Sequence, residues 1–367
     1  MTTQFTRKRF MAALAVSALA LASCGPKTAD KAAPAASEAA KAEFKIGWTI
    51  YAGWMPWAYA QQSGIVKKWA DKYGLKIELV QINDYVESLN QYSAGKLDGV
   101  TATNMDSLTV PAAAGKDTTV LMIGDYSDGN DGVILKNGAT LADIKGRPVN
   151  LVELSVSHYL LARALETAGL KMADIKTVNT SDADIVAAYG AADTKALVTW
   201  NPQLSEVKKM PGATEVFDSS KIPGEILDGL SVSTEALKAN PNLGKALVGI
   251  WYETIALMKD QSEKGKAARE AMAKLSGTDL AGFETQLKTT FMYYEPKDAL
   301  AFMTGTELPK IMDLVRTFCF DHNLLGENVK SKDAVGISTP TKALGSATNV
   351  KLRFDPTYMK MAADGKL

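Results

Sequence analysis

Apolar and polar positions follow two periods along this 367-residue chain, and their order predicts an α/β fold. One apolar feature stands apart: residues 10–23 carry no charge and follow Arg7, Lys8 and Arg9. Residues 25–43 are rich in Ala, Pro, Lys and Glu, with no aromatic and no large apolar group, and cannot bury enough surface to offset their ordering entropy. From Phe44 onward the pattern becomes regular. Short apolar runs predict strands over 44–50, 75–82, 100–102, 119–123, 133–135, 149–152 and 196–199. Helical spacing predicts helices over 65–73, 84–94, 107–114, 157–168 and 182–189, with Asp84 and Gly95 bracketing the second of them. After Ser233 the pattern is largely helical, over 241–258, 264–275, 280–290 and 296–323. Strands alternating with helices imply βαβ units and mixed, mostly parallel sheets with a helical C-terminal portion.

The basic start, the short apolar run and the small residues before Cys24 predict a signal peptide over 1–23. Leu21-Ala22-Ser23-Cys24 resembles a bacterial lipobox, so Cys24 is expected to carry lipid and residues 24–43 to tether the body to a membrane. The run is too short to span a bilayer, which needs about 20 apolar residues. Loss of three basic groups with the leader takes 41 basic residues to 38 against 41 acidic ones, a charge near −3. That balance gives no electrostatic reason to bind nucleic acid. Cys24 and Cys319 are the two cysteines, so no disulfide framework is expected, and Cys319 reads as a packing residue.

Candidate chemistry clusters in loops that follow predicted strands, where α/β sheets bind ligands. Residues 51–59 hold Tyr51, Trp54, Trp57 and Tyr59; Gly53 and Pro56 make the first half irregular, which selects Tyr51 and Trp54 as site candidates and leaves the other two to the core. Residues 124–132 contain Asp125, Asp128 and Asp131 among three glycines. An EF-hand loop needs Gly at its sixth and Glu at its twelfth position, and neither register supplies them. Asp128 reads as a solvated turn residue. Asp106, Glu153 and Trp200 each follow a further strand, and Ser155 or Ser157 can cap the next helix without Glu153. The chain has two histidines, without ligand-spaced partners, and no nucleophile elbow, metalloprotease, P-loop or CxxC motif. Binding without a catalytic residue, cofactor or metal is the expectation.

Three stretches together resemble the solute-binding lipoproteins of ABC importers in the nitrate/taurine/alkanesulfonate group. They are residues 92–99 (YSAGKLDG), residues 141–149 (LADIKGRPV), and Ser157-His158-Tyr159-Leu160-Leu161 with Gly169-Leu170 and Asp174-Ile175. Residues 48–57 (WTIYAGWMPW) and 124–132 (GDYSDGNDG) are similar to a subgroup of urea transporters associated with urea-carboxylase-type enzymes, which include guanidine carboxylases. The resemblance implies a two-lobed periplasmic-binding-protein fold: lobe one over 44–126 and 228–335, lobe two over 127–227, and a C-terminal tail over 336–367. Chain crossings are expected near 125–132 and 223–231. It also implies a monomer in the periplasm or at the cell surface, membrane-bound through its lipid alone, with permease and ATPase partners.

Anion binders of this group must neutralise a negative ligand, yet residues 51–59, 103–107 and 124–132 contain no Arg or Lys. Acid beside aromatic suits a cation. A planar guanidinium matches carboxylates and a stacking ring, so guanidine is the first expected ligand and urea the second. Tyr51, Trp54, Asp106, Asp125, Asp131, Glu153 and Trp200 form the expected site. The alternatives are a sulfonate or nitrate binder, or an enzyme like the pyrimidine synthase that shares this architecture.

Overall fold

A computed structural model describes residues 41–326 and 328–367; Cys24 and the expected leader lie outside the described residues. The chain lays down β1 (Ala42–Trp48), β2 (Leu75–Gln81), β3 (Gly99–Thr103) and β4 (Thr118–Ser127). It continues through β5 (Asp131–Lys136), β6 (Pro148–Leu151), β7 (Lys176–Asn179), β8 (Ala196–Trp200) and β9 (Ala213–Asp218). It then forms β10 (Leu227–Ser233), β11 (Thr290–Met292), β12 (Gly336–Ser338), β13 (Ala343–Leu344) and β14 (Val350–Phe354). Among the described residues these make two sheets. The larger has the order β13-β12-β14-β4-β10-β3-β1-β2, with β11 also paired to β4; the smaller has the order β7-β6-β8-β5-β9.

Both sheets are mixed. The βαβ units give parallel pairs, β1 with β2 and β3, and β6 with β7 and β8. Antiparallel pairs concentrate on β10, against β3 and β4, and on β5, against β8 and β9. The parallel bias expected from the sequence therefore stops at these strands, because β4 leads directly into β5 and β9 into β10 as the chain passes between sheets.

Helices flank the sheets in the positions that their apolar stripes require. Asp84 caps the helix Tyr85–Ser93 by accepting from the Glu87 N–H, and Ser155 caps the helix Val156–Thr167 by accepting from the Ser157 N–H. The long helix Pro241–Lys259 is buried along one side, and its Trp251 lies 5.3 Å from Trp57 between ring centroids. Burying each such ring contributes about 2–3 kcal/mol. Gly124 permits this approach: a Cβ there would stand 2.6 Å from the Trp251 ring.

Three expectations need correction. Residues 336–367 are not a tail: β12, β13 and β14 extend the larger sheet beside β4. The helical run 296–323 breaks into Pro296–Met303 and Glu307–Asp321 at Thr304-Gly305-Thr306, and the helix from residue 280 stops at Leu287, leaving Thr290–Met292 as β11. Strands β7, β9 and β10, absent from the pattern, are all present.

Candidate functional site

The C-terminal ends of β1 and β3 and the N-terminal end of β10 converge on the start of β5 and the end of β8. Register explains this convergence. Asp228 at the start of β10 pairs with Thr103 at the end of β3 on one side and Asp125 of β4 on the other, while Asp131 pairs with Trp200 across β5 and β8. The cavity between them measures about 20 Å³. That is close to the room one water needs, so only a very small solute fits unless the walls move. Tyr51, Trp54, Tyr85, Asp131, Trp200 and Asp228 are among the residues that line it.

The aromatic wall is continuous. Tyr51 meets Trp54 edge-on at 5.1 Å, Trp54 tilts on Tyr85 at 5.7 Å, and Tyr85 meets Trp200 edge-on at 5.8 Å. Tyr85, which opens a helix and resembles a routine packing residue in sequence, thus joins the two sheets' contributions.

Four carboxyls surround this wall: Asp106, Asp125, Asp131 and Asp228, each no more than 5 % exposed. Tyr51 donates its hydroxyl to Asp125 Oδ1 at 2.7 Å. Asp106 Oδ2 accepts from the Tyr85 hydroxyl at 2.9 Å, the Thr103 hydroxyl at 2.9 Å and the Val156 N–H at 3.4 Å. Asp131 Oδ2 accepts from Ser127 at 2.5 Å. Among the described residues, no lysine, arginine or histidine lines the cavity. Burial, the largest cause, pushes Asp106 and Asp131 up to about 6, and raises Asp125 and Asp228 as well, with mutual repulsion adding to Asp228. Burial likewise lifts the Tyr51 and Tyr85 hydroxyls well above their usual range, so both stay protonated donors. Polar atoms are left over: Asp106 Oδ1, Asp125 Oδ2 and Trp54 Nε1 are buried without a hydrogen-bond donor or acceptor beside them. Buried polar groups are normally satisfied, so these mark groups that await a ligand or water.

Asp106 carries a second consequence. It is not the N-cap of its own short helix, a role that Thr103 takes. It accepts instead from Val156 at the N-terminus of the helix Val156–Thr167, a helix packed on the smaller sheet. A helix N-terminus is a natural anion site, and here the chain's own carboxylate fills it.

Of the sequence-derived set, Tyr51, Trp54, Asp131 and Trp200 line the cavity, while Asp106 and Asp125 stand behind the lining, hydrogen-bonded to the Tyr85 and Tyr51 hydroxyls. Glu153 does not join them. It is half-buried outside the cavity lining, with its backbone N–H on Asn179, and the left-handed turn at Leu154 (φ 66°) separates it from Val156, which does reach the lining. Asp228 and Tyr85 were missed; the adjacent Asp228-Gly229 pair reads as a turn, and only the strand register reveals the carboxyl's position. Trp57 is core, Asp128 is half-buried, and Cys319 is fully buried with its thiol pushed up by burial. His158 and His322 lie outside the lining, with ring centroids 6.1 Å apart. No group of three or more metal-ligating side chains occurs among the described residues.

A family model described as NMT1/THI5 like matches residues 56–263. A Brucella abortus (strain 2308) protein, named provisionally as a binding protein, is 25 % identical over 163 residues, 43 % of this chain and 50 % of its own length. The chain therefore spans about half the length of that curated relative. An Escherichia coli (strain K12) protein, named provisionally as binding aliphatic sulfonates, is 36 % identical over 83 residues, 23 % of this chain and 26 % of its own. The alkanesulfonate-binding protein SsuA of Xanthomonas axonopodis pv. citri, solved bound to MOPS, superposes with a TM-score of 0.65 at 20 % identity, covering 79 % of this chain and 97 % of that one. That likeness establishes a shared fold.

Proposed function

The chain belongs to the NMT1/THI5-like family, and on that premise we propose that it is the extracytoplasmic solute-binding component of an ABC importer whose ligand is a small planar nitrogenous cation, guanidinium first. The supporting observation is the set of four buried aspartates around an aromatic cavity whose lining, among the described residues, holds no lysine, arginine or histidine. Desolvating carboxylates without a partner is costly, and a bound cation offsets that penalty. A guanidinium offers N–H donors in one plane to the carboxyls and its face to Trp54 or Tyr85.

The names of the sulfonate-binding relatives favour an anion instead. Two features weigh against carrying that ligand over: the cavity wall is acidic, and Asp106 already occupies the helix N-terminus at Val156. Urea is the second reading, favoured by Trp54 Nε1, a buried donor without an acceptor that suits a carbonyl oxygen. Delivery to a permease and its ATPase, from a site tethered through lipid at Cys24, completes the proposal.

Isothermal titration of the purified protein with guanidinium, urea, taurine and nitrate in one buffer tests it. The expected order is guanidinium, then urea, with no heat from the two anionic-group solutes. Saturable taurine or nitrate binding with none for guanidinium would overturn the cation reading.

A further inference from the structure

We propose that Asp125 and Asp228 hold one proton between them in the ligand-free cavity, and that a cationic ligand enters by displacing it. This rests on the cation reading above and adds a selection rule to it: the site exchanges one positive charge for another.

The strand register creates the pair. Asp125 and Asp228 stand opposite each other where β4 and β10 run antiparallel, and both side chains are buried. Tyr51 occupies Asp125 Oδ1 at 2.7 Å, while Asp125 Oδ2 has no N–H or hydroxyl beside it. Residues directly opposite on antiparallel strands carry their side chains on one face, so the Asp228 carboxyl is the cross-strand neighbour of Asp125. Two carboxyl groups can share such a contact only with a proton between them, as like charges at that range cannot both ionise. Among the described residues, the cavity lining supplies no competing cation. The titratable groups facing the pair are Tyr51 ahead of the helix Met55–Gln62, Tyr85 on its helix, Asp106 after β3, Asp131 on β5, and Tyr293 and Tyr294 after β11. All are acids, and the carboxyls among them make full ionisation of the pair still less favourable. Burial raises both members in the same direction.

Asp228 lines the cavity, so the proton sits at the wall that a ligand touches. A guanidinium donates N–H groups to both carboxylates only after the shared proton leaves to solvent; the charge inside the cavity is then unchanged. Neutral urea has no charge to exchange, and its binding leaves the proton in place. Guanidinium affinity therefore rises about tenfold per pH unit while the pair is protonated, whereas urea affinity stays flat.

Titrating the full protein with guanidinium at pH 7 in phosphate and in Tris, whose ionisation heats differ, counts the protons released. The expected result is about one proton per guanidinium and none per urea. Guanidinium binding with no proton released overturns the exchange and leaves the cation reading intact. Absence of guanidinium binding overturns both. The Asp228→Asn variant, which cannot share a proton as an acid, is expected to bind guanidinium more weakly and release none; release of a full proton by that variant would place the source elsewhere and overturn the proposal. Should that variant fail to fold, the two-buffer count on the unaltered protein still decides.

Discussion

Replacing Asp106 by Asn probes whether the buried carboxyls destabilise the empty protein. Burial is the first cause that pushes Asp106 from 3.8 up to about 6. That rise corresponds to about 3 kcal/mol. The raised value fixes the sign. Below about pH 4 folded and unfolded chains are both protonated there, and Asp106 contributes no difference. As pH rises from about 4 to about 6 the unfolded chain ionises first, and the ligand-free fold loses that stability. The Asp106→Asn side chain offers an amide oxygen to the Tyr85, Thr103 and Val156 donors and has no proton to lose. The stability gap between variant and parent should therefore shift in the variant's favour by about 2 kcal/mol between pH 4.5, where about 1 kcal/mol has been lost, and pH 8. Urea denaturation of the ligand-free proteins at those two pH values measures it. The same variant should bind guanidinium roughly ten- to a hundredfold more weakly, as one charged hydrogen bond is lost. A gap that is the same at both pH values would refute the reasoning, since it would mean that Asp106 titrates normally.

Three further outcomes are expected. Trp54→Phe keeps a ring but removes Nε1, so urea affinity should fall about fivefold while guanidinium affinity changes less, as titration of both would read. Gly53→Ala should lower both affinities and cost about 1–3 kcal/mol in a melting experiment, as its Cβ would stand 2.6 Å from the Tyr51 ring and 2.7 Å from Asp125 Oδ2. His158 is held below its usual range by burial and then by His322, and His322 by burial, so their packing stabilises the fold above about pH 6.5 and weakens it as pH falls. His322→Gln should therefore lose less stability than the parent between pH 7.5 and 5.5.

Much of this site was legible because α/β folds place ligands past strand ends, and Tyr51, Trp54, Asp106 and Trp200 all follow short apolar runs. Asp125 and Asp131 were legible as an acidic cluster at a crossing. Glu153 was misplaced because sequence adjacency to a strand end does not reveal the left-handed turn at Leu154. Asp228 was out of reach for a different reason. Its partner Asp125 lies about a hundred residues earlier, and only antiparallel pairing brings the two together. The last strands were hidden because β12 and β13 span three and two residues among Gly, Ser and Thr, too short for a period to register.

The most direct measurement is a crystal structure grown with guanidinium. Planar density between Trp54 and the carboxyls of Asp125, Asp131 and Asp228, with N–H to oxygen distances near 2.9 Å, is the predicted result. Guanidinium absent from that cavity at saturating concentration, or an anion in its place, would contradict the cation site.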